Sequence, residues 1–201
     1  MPLQNRVTPL GEIVALPGRG LIMGNRGILH DDAHRIVRPW QVRRWIACVL
    51  EFRGRHRQVM QPHRYTELFF LDEATAFAAG HRPCAECRRA DYQRFQALWE
   101  SRLGRPCDAD AMDARLHADR LAAKQKRTYR DRIARLPDGA YVVLDGTPWL
   151  VLGPELHAWS GAGYTRRRPR PVRGEAEVLT PRAAVAVLAG GYRAAVHPSA
   201  G

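Results

Sequence analysis

The sequence predicts an α+β fold, and three observations carry that prediction. Aromatic and β-branched residues crowd two short runs, Arg44 to Phe52 and Tyr65 to Leu71, as they do in strands. Helix signals follow at once, with Asp72 placed as an N-cap and an apolar stripe along residues 88–102. Further on, Asp145-Gly146 separates two apolar runs, which is hairpin-turn chemistry. The chain has 201 residues, 45% of them hydrophobic and 26% charged, so it can bury a core of its own.

Taken in order, residues 1–30 read as extended, turn-rich chain, punctuated by Gly11, Pro17-Gly18, Gly20 and the turn Gly24-Asn25-Arg26-Gly27. The first clear strand is 44–52. Arg53-Gly54-Arg55 then turns, and Arg57 to Met60 returns as a second strand, so that residues 40–62 hold a hairpin. A third strand covers Tyr65 to Leu71. Asp72 caps a helix with Glu73 in its first turn and Ala74 to Ala79 propagating it; Gly80 takes the left-handed position that ends it. Residues 88–102 form a second helix, with Tyr92, Phe95, Leu98 and Trp99 on one face. Past Gly104-Arg105-Pro106, residues 108–135 read as one or two helices, closed by Pro137-Asp138-Gly139. The hairpin pairs Ala140–Leu144 with Pro148–Leu152. Residues 160–174 read as a basic loop rich in Gly, Arg and Pro. Thr180 caps a last helix, with Pro181 first in it and Gly190 near its end.

Lys and Arg number 32 against 20 Asp and Glu, a net charge of +12. A field of that sign attracts polyanions, and arginine suits bidentate phosphate contacts. Arg43 and Arg44 stand among Trp40 and Trp45; Arg88 and Arg89 open the second helix; Arg166, Arg167 and Arg168 sit in the basic loop. Arginine positions a phosphate backbone and an indole stacks on an unpaired base, so these are the expected contacts to nucleic acid, DNA foremost. No run of 18 apolar residues spans a membrane and no signal sequence is legible, which places the chain in the cytoplasm as an expectation. In that reducing setting the four cysteines point to metal or packing rather than disulfides.

Cys84 and Cys87, directly after Pro83, have the C-x-x-C spacing that aims two thiolates at one metal. A redox dithiol shares the spacing but belongs to a βαβ setting that this sequence lacks. His30 and His34, four apart, complete a four-ligand zinc site that leaves no open position, hence a structural one. Cys48 is the alternative to His34, although its place within an apolar strand reads as core.

The stretch Phe69-Phe70-Leu71-Asp72-Glu73-Ala74 through Gly80-His81-Arg82-Pro83-Cys84-Ala85-Glu86-Cys87-Arg88 resembles the metal-binding domain of Ada-type DNA repair proteins. Gly24-Asn25 leading to His30 is similar to the other half of short Ada-like zinc modules. The resemblance implies a small zinc-stapled β-α module over about residues 20–100, followed by helices and a C-terminal β-hairpin region. On that basis the chain divides into a module at 1–103 with an inserted hairpin, a basic helical connector at 104–136, and a small α+β region at 137–201, packed as one unit. The chain departs from the family in the long gap between His34 and Cys84. It also lacks the upstream cysteine pair that holds the methyl acceptor, so self-alkylating repair is not expected.

A catalytic alternative lies in Asp113 and His117, four apart on one helical face, with Lys124 following. The sequence thus supports, in order, a zinc-containing nucleic-acid-binding protein in repair or regulation, a metal-stabilised nucleic-acid-processing enzyme of nuclease or lyase type, and a zinc scaffold for a protein partner.

Overall fold

The computed structural model describes residues 2–54, 58–104, 106–123 and 125–201. Over these the chain is mixed α and β, with four α-helices and three sheets. The first sheet uses β1 (Arg6–Val7), β2 (Ile13–Val14), β3 (Ile22–Asn25), β4 (Ile46–Cys48), β5 (Leu68–Phe70) and β6 (Arg82–Pro83), in the order β2-β1-β5-β3-β4-β6. β1 with β5 and β4 with β6 are parallel; the remaining pairs are antiparallel.

Alternation along these short strands sorts residues onto two faces. Val7, Ile22, Ala47, Leu68 and Phe70 turn to one side and pack with Leu29, Ala76 and Ala79 as a core. On the other side the register Arg6↔Phe69, Met23↔Phe69 and Met23↔Cys48 lays one continuous row across four strands. Gly24 stands inside β3, so the turn expected at 24–27 begins as strand. The reason is close approach: a Cβ there would lie 2.3 Å from the Ile46 carbonyl oxygen.

Helix α1 (Glu73–Ala78) starts where expected, with Asp72 Oδ1 accepting from the Thr75 N–H at 2.8 Å, and Gly80 at φ 93° beyond its end. Helices α2 (Arg89–Leu103), α3 (Ala109–Arg120) and α4 (Arg182–Ala189) follow. Phe77 of α1, Tyr92, Phe95 and Trp99 of α2, Met112 and Leu116 of α3 and Val187 of α4 share one core. The helical reading of 108–135 stops at Arg120. There the chain enters a small hairpin, β7 (Leu121–Ala122) with β8 (Gln125–Lys126), and then β9 (Tyr129–Arg132). The expected strand from Arg57 to Met60 is not formed over its described part, 58–60, and Arg57 lies outside the described residues.

The expected C-terminal hairpin is present as β10 (Tyr141–Leu144) and β11 (Thr147–Leu152), with Asp145 at φ 52° and Gly146 at φ 72°. Two successive positive φ values match the right-handed twist of the strands. The hairpin is the centre of something larger. β12 (Glu155–Ser160), β13 (Gly163–Pro169) and β14 (Glu175–Val178) complete an antiparallel sheet ordered β13-β12-β11-β10-β14-β9. Residues 163–169, expected as loop, are its edge strand, where arginines keep the outer backbone in water. Thr180 does not cap α4; its hydroxyl accepts from the Tyr141 N–H at 2.9 Å, and Asp119 of α3 receives the Ala183 N–H instead.

The sheets are tied together through α1. Asp72 Oδ2 accepts from the Tyr164 hydroxyl at 2.6 Å and from the His197 N–H at 3.0 Å. Glu73 accepts from the Tyr192 hydroxyl at 2.8 Å and pairs with Arg88 at 2.6 Å. No helix among the described residues is long and apolar enough to cross a membrane.

Candidate metal centre

Strand register builds this site. In the parallel pair of β4 and β6, Ile46 lies beside Arg82 and Ala47 beside Pro83, so the next residues, Cys48 and Cys84, leave the sheet side by side. The Cys84 N–H donates to the Ala47 carbonyl at 2.9 Å, which holds that register to its end. A turn closed by the Arg88 N–H on the Cys84 carbonyl at 3.1 Å brings Cys87 back to the same point. The three Sγ atoms lie within 4.8 Å of one another, with Cys48 and Cys84 buried and Cys87 half-buried. Three cysteines at this spacing can hold a metal ion.

Local electrostatics favour a thiolate at Cys84. Hydrogen bonds from the Cys48 and Cys87 thiols, and from the backbone N–H groups of Cys87 and Glu86, hold its pKa well below the ordinary thiol range against the cost of burial. Cys48 is pushed up, first by its hydrogen bond to Cys84, then by Cys87 and burial. Cys87 gains from Cys48 and from the Val49 N–H, but Cys84 and burial outweigh them and its pKa rises. Of the three sulfurs, Cys84 is therefore the most readily ionised. A dication that takes all three must displace the remaining protons.

The sulfurs open onto a cavity of about 550 Å³. Its floor is the row Arg6, Phe69, Met23 and Cys48, flanked by Glu67 and Asn25. The Arg6 guanidinium sits 5.0 Å from the centre of the Phe69 ring. Glu67 is buried and its Oε2 accepts from the Met60 N–H at 2.8 Å. Glu51 and Glu86, both exposed, lie in sequence next to the cysteine end, and exposed Arg19 lines the cavity together with Arg6.

The structure brings Cys84 and Cys87 together, but with Cys48 rather than with His30 and His34. The two histidines do approach each other, with ring centroids 6.3 Å apart. His30 is buried with Nδ1 2.6 Å from Thr66 Oγ1 and Nε2 3.2 Å from the Gln61 carbonyl. That carbonyl requires a proton on Nε2, so Nδ1 accepts from the hydroxyl and both ring nitrogens are used. His34 is exposed at φ 60°. Among the described residues the sulfur group is Cys48, Cys84 and Cys87, and His30 and His34 are not part of it. Cys48 is buried, as a core cysteine would be, yet it stands at the strand end where its sulfur meets the turn.

In the second candidate group, Asp113 and His117 each have an arginine partner. Both oxygens of Asp113 are taken by Arg82, at 2.9 Å to Nε and 2.7 Å to Nη2. His117 Nδ1 lies 3.0 Å from Arg120 Nη2, and burial, then Arg120 and Arg43, lower its pKa. Lys124 lies outside the described residues, as do Arg55 and Arg57 of the basic turn.

Of the arginines expected at nucleic acid, Arg43, Arg44, Arg89, Arg166 and Arg167 are exposed. Arg88 is buried between Glu73 and Asp91, at 2.6 Å from each, and serves the interior. Arg168 is half-buried, 3.4 Å from Asp145 and 4.8 Å from the centre of the Trp149 ring. Trp45 is also unavailable for stacking on a base. It is buried between the guanidiniums of Arg26 and Arg120, at 4.0 Å and 3.8 Å from its ring centre.

Arg6 and Glu67 line the same cavity, although neither is among the site residues expected from sequence. The one available signal was the alternation Glu67, Phe69 against Leu68, Phe70, which separates a site face from a core face. No protein-family model matches the chain, and neither curated proteins nor solved structures give a match to it.

Proposed function

We propose that the chain is a zinc protein that recognises nucleic acid, with the metal held by Cys48, Cys84 and Cys87. Three sulfurs within 4.8 Å, at the end of a cavity, carry this reading. The donor set fits the metal: thiolates are soft ligands that select zinc over hard cations, and backbone N–H groups of Glu86, Cys87 and Val49 support two of the sulfurs. The Ada-like resemblance of the Pro83–Arg88 turn points the same way. In this reading the ion staples β4, β6 and the start of α2 into one zinc-bound β-α module.

Among the described residues three protein ligands stand together; where no fourth protein ligand joins them, a position stays for water or substrate, the pattern of catalytic rather than structural zinc. In that case the metal-stabilised processing enzyme is the alternative to the pure binding protein, with its chemistry at the sulfur group rather than at Asp113 and His117. When bound, zinc would supply Lewis acidity and a water activated for attack. Recognition of the polyanion rests on the net charge of +12 and on the exposed Arg43, Arg44, Arg89, Arg166 and Arg167.

Elemental analysis of the purified chain tests the metal. About one zinc per chain is expected, lost in Cys48→Ser, Cys84→Ser and Cys87→Ser and kept in His30→Ala and His34→Ala. A metal-free wild type purified without chelator would overturn the reading. Fluorescence anisotropy with labelled single- and double-stranded DNA tests recognition: affinity should fall steeply with salt, and Arg43→Gln/Arg44→Gln should flatten the slope. Salt-independent or absent binding would leave the scaffold alternative.

A further inference from the structure

We propose that the cavity seats an unpaired guanine base, with its hydrogen-bonding edge on Asn25 and Glu67. The proposal rests on the reading of the chain as a protein that recognises nucleic acid and names the base; the metal plays no part in it.

Strand register and alternation supply the argument. β3 and β5 pair with Met23 beside Phe69 and Gly24 beside Leu68, so the next pair in that register is Asn25 and Glu67. Opposed side chains on one face of a sheet start about 4.5–5.5 Å apart. Asn25 and Glu67 both line the cavity, and so do Tyr65 and Phe69. The residues between them turn the other way: Thr66 Oγ1 accepts from the Leu29 N–H at 2.9 Å, and Leu68 packs in the core. The cavity side of this segment therefore reads aromatic, carboxylate, aromatic, with an amide across from the carboxylate.

Glu67 is fixed in position. It is buried, and its Oε2 accepts from the Met60 N–H at 2.8 Å. Met60 is itself buried with φ 58°, a left-handed conformation that a side chain of this size rarely adopts. Backbone strain thus sits at the residue whose N–H orients the carboxylate. Each carboxylate oxygen has two lone pairs, so the bond to Met60 leaves acceptor capacity on both oxygens. A carboxylate withdrawn from water favours a ligand that brings donors.

The pattern of donors and acceptors selects the base. Asn25 offers an amide N–H, and Glu67 offers two acceptor oxygens. Guanine presents the complement along its pairing edge: a carbonyl oxygen, a ring N–H and an amino group. Adenine and cytosine each turn a bare ring nitrogen towards a carboxylate oxygen, and uracil turns a carbonyl. Tyr65 and Phe69 flank the carboxylate with the aromatic surface on which an unstacked base rests. Arg6, opposed to Phe69 across β1 and β5, and exposed Arg19 line the same cavity and bring positive charge for a phosphate. A volume of about 550 Å³ falls in the range that encloses small ligands. A free nucleotide and an unpaired residue within a strand carry the same edge, and the test separates the two sources.

Calorimetry on the full chain would compare guanosine, inosine, adenosine and cytidine monophosphates. Anisotropy would compare single-stranded thymine tracts that carry one guanine, one adenine or neither. Guanine should bind about ten- to a hundredfold more tightly than adenine. Inosine lacks the amino group and should fall on the order of tenfold short of guanine, a comparison that leaves the protein unaltered. Glu67→Gln keeps an acceptor for the Met60 N–H but turns a donor towards the base, so it should abolish the guanine preference while the melting temperature holds. Guanine preference among strands names a strand residue as the ligand. Preference among the monophosphates with no binding of strands keeps the site and overturns the nucleic-acid reading. Strand binding that weakens with salt but ignores guanine would overturn the base assignment and leave that reading standing. Inosine equal to guanine, or a guanine preference that survives in Glu67→Gln, would also overturn the proposal.

Discussion

The Arg82 guanidinium grips the Asp113 carboxylate at two points, Nε to Oδ1 at 2.9 Å and Nη2 to Oδ2 at 2.7 Å, with both side chains buried. Arg82 also donates from Nη1 to the Pro83 carbonyl at 3.0 Å, one residue before Cys84. The pair therefore fastens α3 to the strand that delivers the cysteine turn. Burial is the largest influence on Asp113 and raises its pKa in spite of Arg82, so the pair is a costly arrangement rather than a simple gain.

Asp113→Ala leaves a buried guanidinium without its partner. It should lower unfolding free energy by about 3–5 kcal/mol in urea titrations, whereas the double variant Arg82→Met/Asp113→Leu should recover most of that loss. A single variant as stable as wild type would show that the pair holds nothing in place.

Lys126 provides a pH test of the interior. Its ammonium is buried and donates to the Ala78 carbonyl, and burial first, then Arg26 and Arg120, push its pKa from the ordinary 10.5 down to about 7. Between those values the unfolded chain holds a proton that the folded chain has lost, so stability from this group rises with pH. The penalty is complete below about 7 and gone above 10.5. Lys126→Met removes the titration. Apart from a constant offset for the lost bond to Ala78, its stability relative to wild type should be most favourable at or below neutral pH. The advantage should shrink by an amount on the order of a few kcal/mol towards about pH 10. Unfolding midpoints across that range decide it; a difference independent of pH would contradict a buried ammonium.

Gly24→Ala should damage the metal centre from the opposite side of its strand. The new Cβ would lie 2.3 Å from the Ile46 carbonyl and 3.0 Å from the Phe70 ring, and the carbonyl is backbone that cannot swing away. β4 must shift, and Cys48 with it. A loss of about 1–3 kcal/mol, with reduced zinc content, is expected from thermal melts and elemental analysis. Full stability together with full metal would mean that β3 and β4 have slack.

Chelation separates stapling from packing. If zinc joins β4 to the turn after β6, a chelator should lower the melting temperature of wild type by several degrees and leave Cys84→Ser unmoved. An unchanged wild type would mean that the cysteine turn keeps its place without a metal.

Tyr164→Phe tests the tie between α1 and the C-terminal sheet. It removes the hydroxyl bonded to Asp72 Oδ2 at 2.6 Å and to the Tyr141 hydroxyl at 2.6 Å. Because Oδ2 keeps the His197 N–H, the expected cost is modest, about 1–2 kcal/mol in urea unfolding.

What could be read directly from the chain was local. Asp72, Gly80 and the apolar stripe of α2 specify their helices through hydrogen bonds and periodicities that span a few residues. Asp145-Gly146 specifies its hairpin because positive φ at two successive positions is a property of those residues. The Cys84-x-x-Cys87 turn was legible for the same reason. The length of α3 was not, because residues 121–122 and 125–126 pair with each other and residues 129–132 pair with β14, although the segment has helical composition. Residues 163–169 looked like loop because an edge strand is allowed the same arginines a loop carries.

The third sulfur shows the division most clearly. His30 and His34 have ligand spacing, but a hydroxyl and a carbonyl from residues more than thirty positions away occupy both nitrogens of His30. Cys48 has no spacing signal at all; it reaches Cys84 through the parallel register of β4 and β6. The row from Arg6 to Cys48 likewise joins four strands drawn from residues 6 to 48 and 69, and no window of sequence contains it. The sequence by itself determined the charge, the helix caps, the hairpin turn and two of the three thiols, because each depends on neighbours along the chain. Strand register, which brings distant residues into line by backbone hydrogen bonds, was decided only in the folded protein, and it is register that completes the group of three sulfurs and lines up the cavity wall.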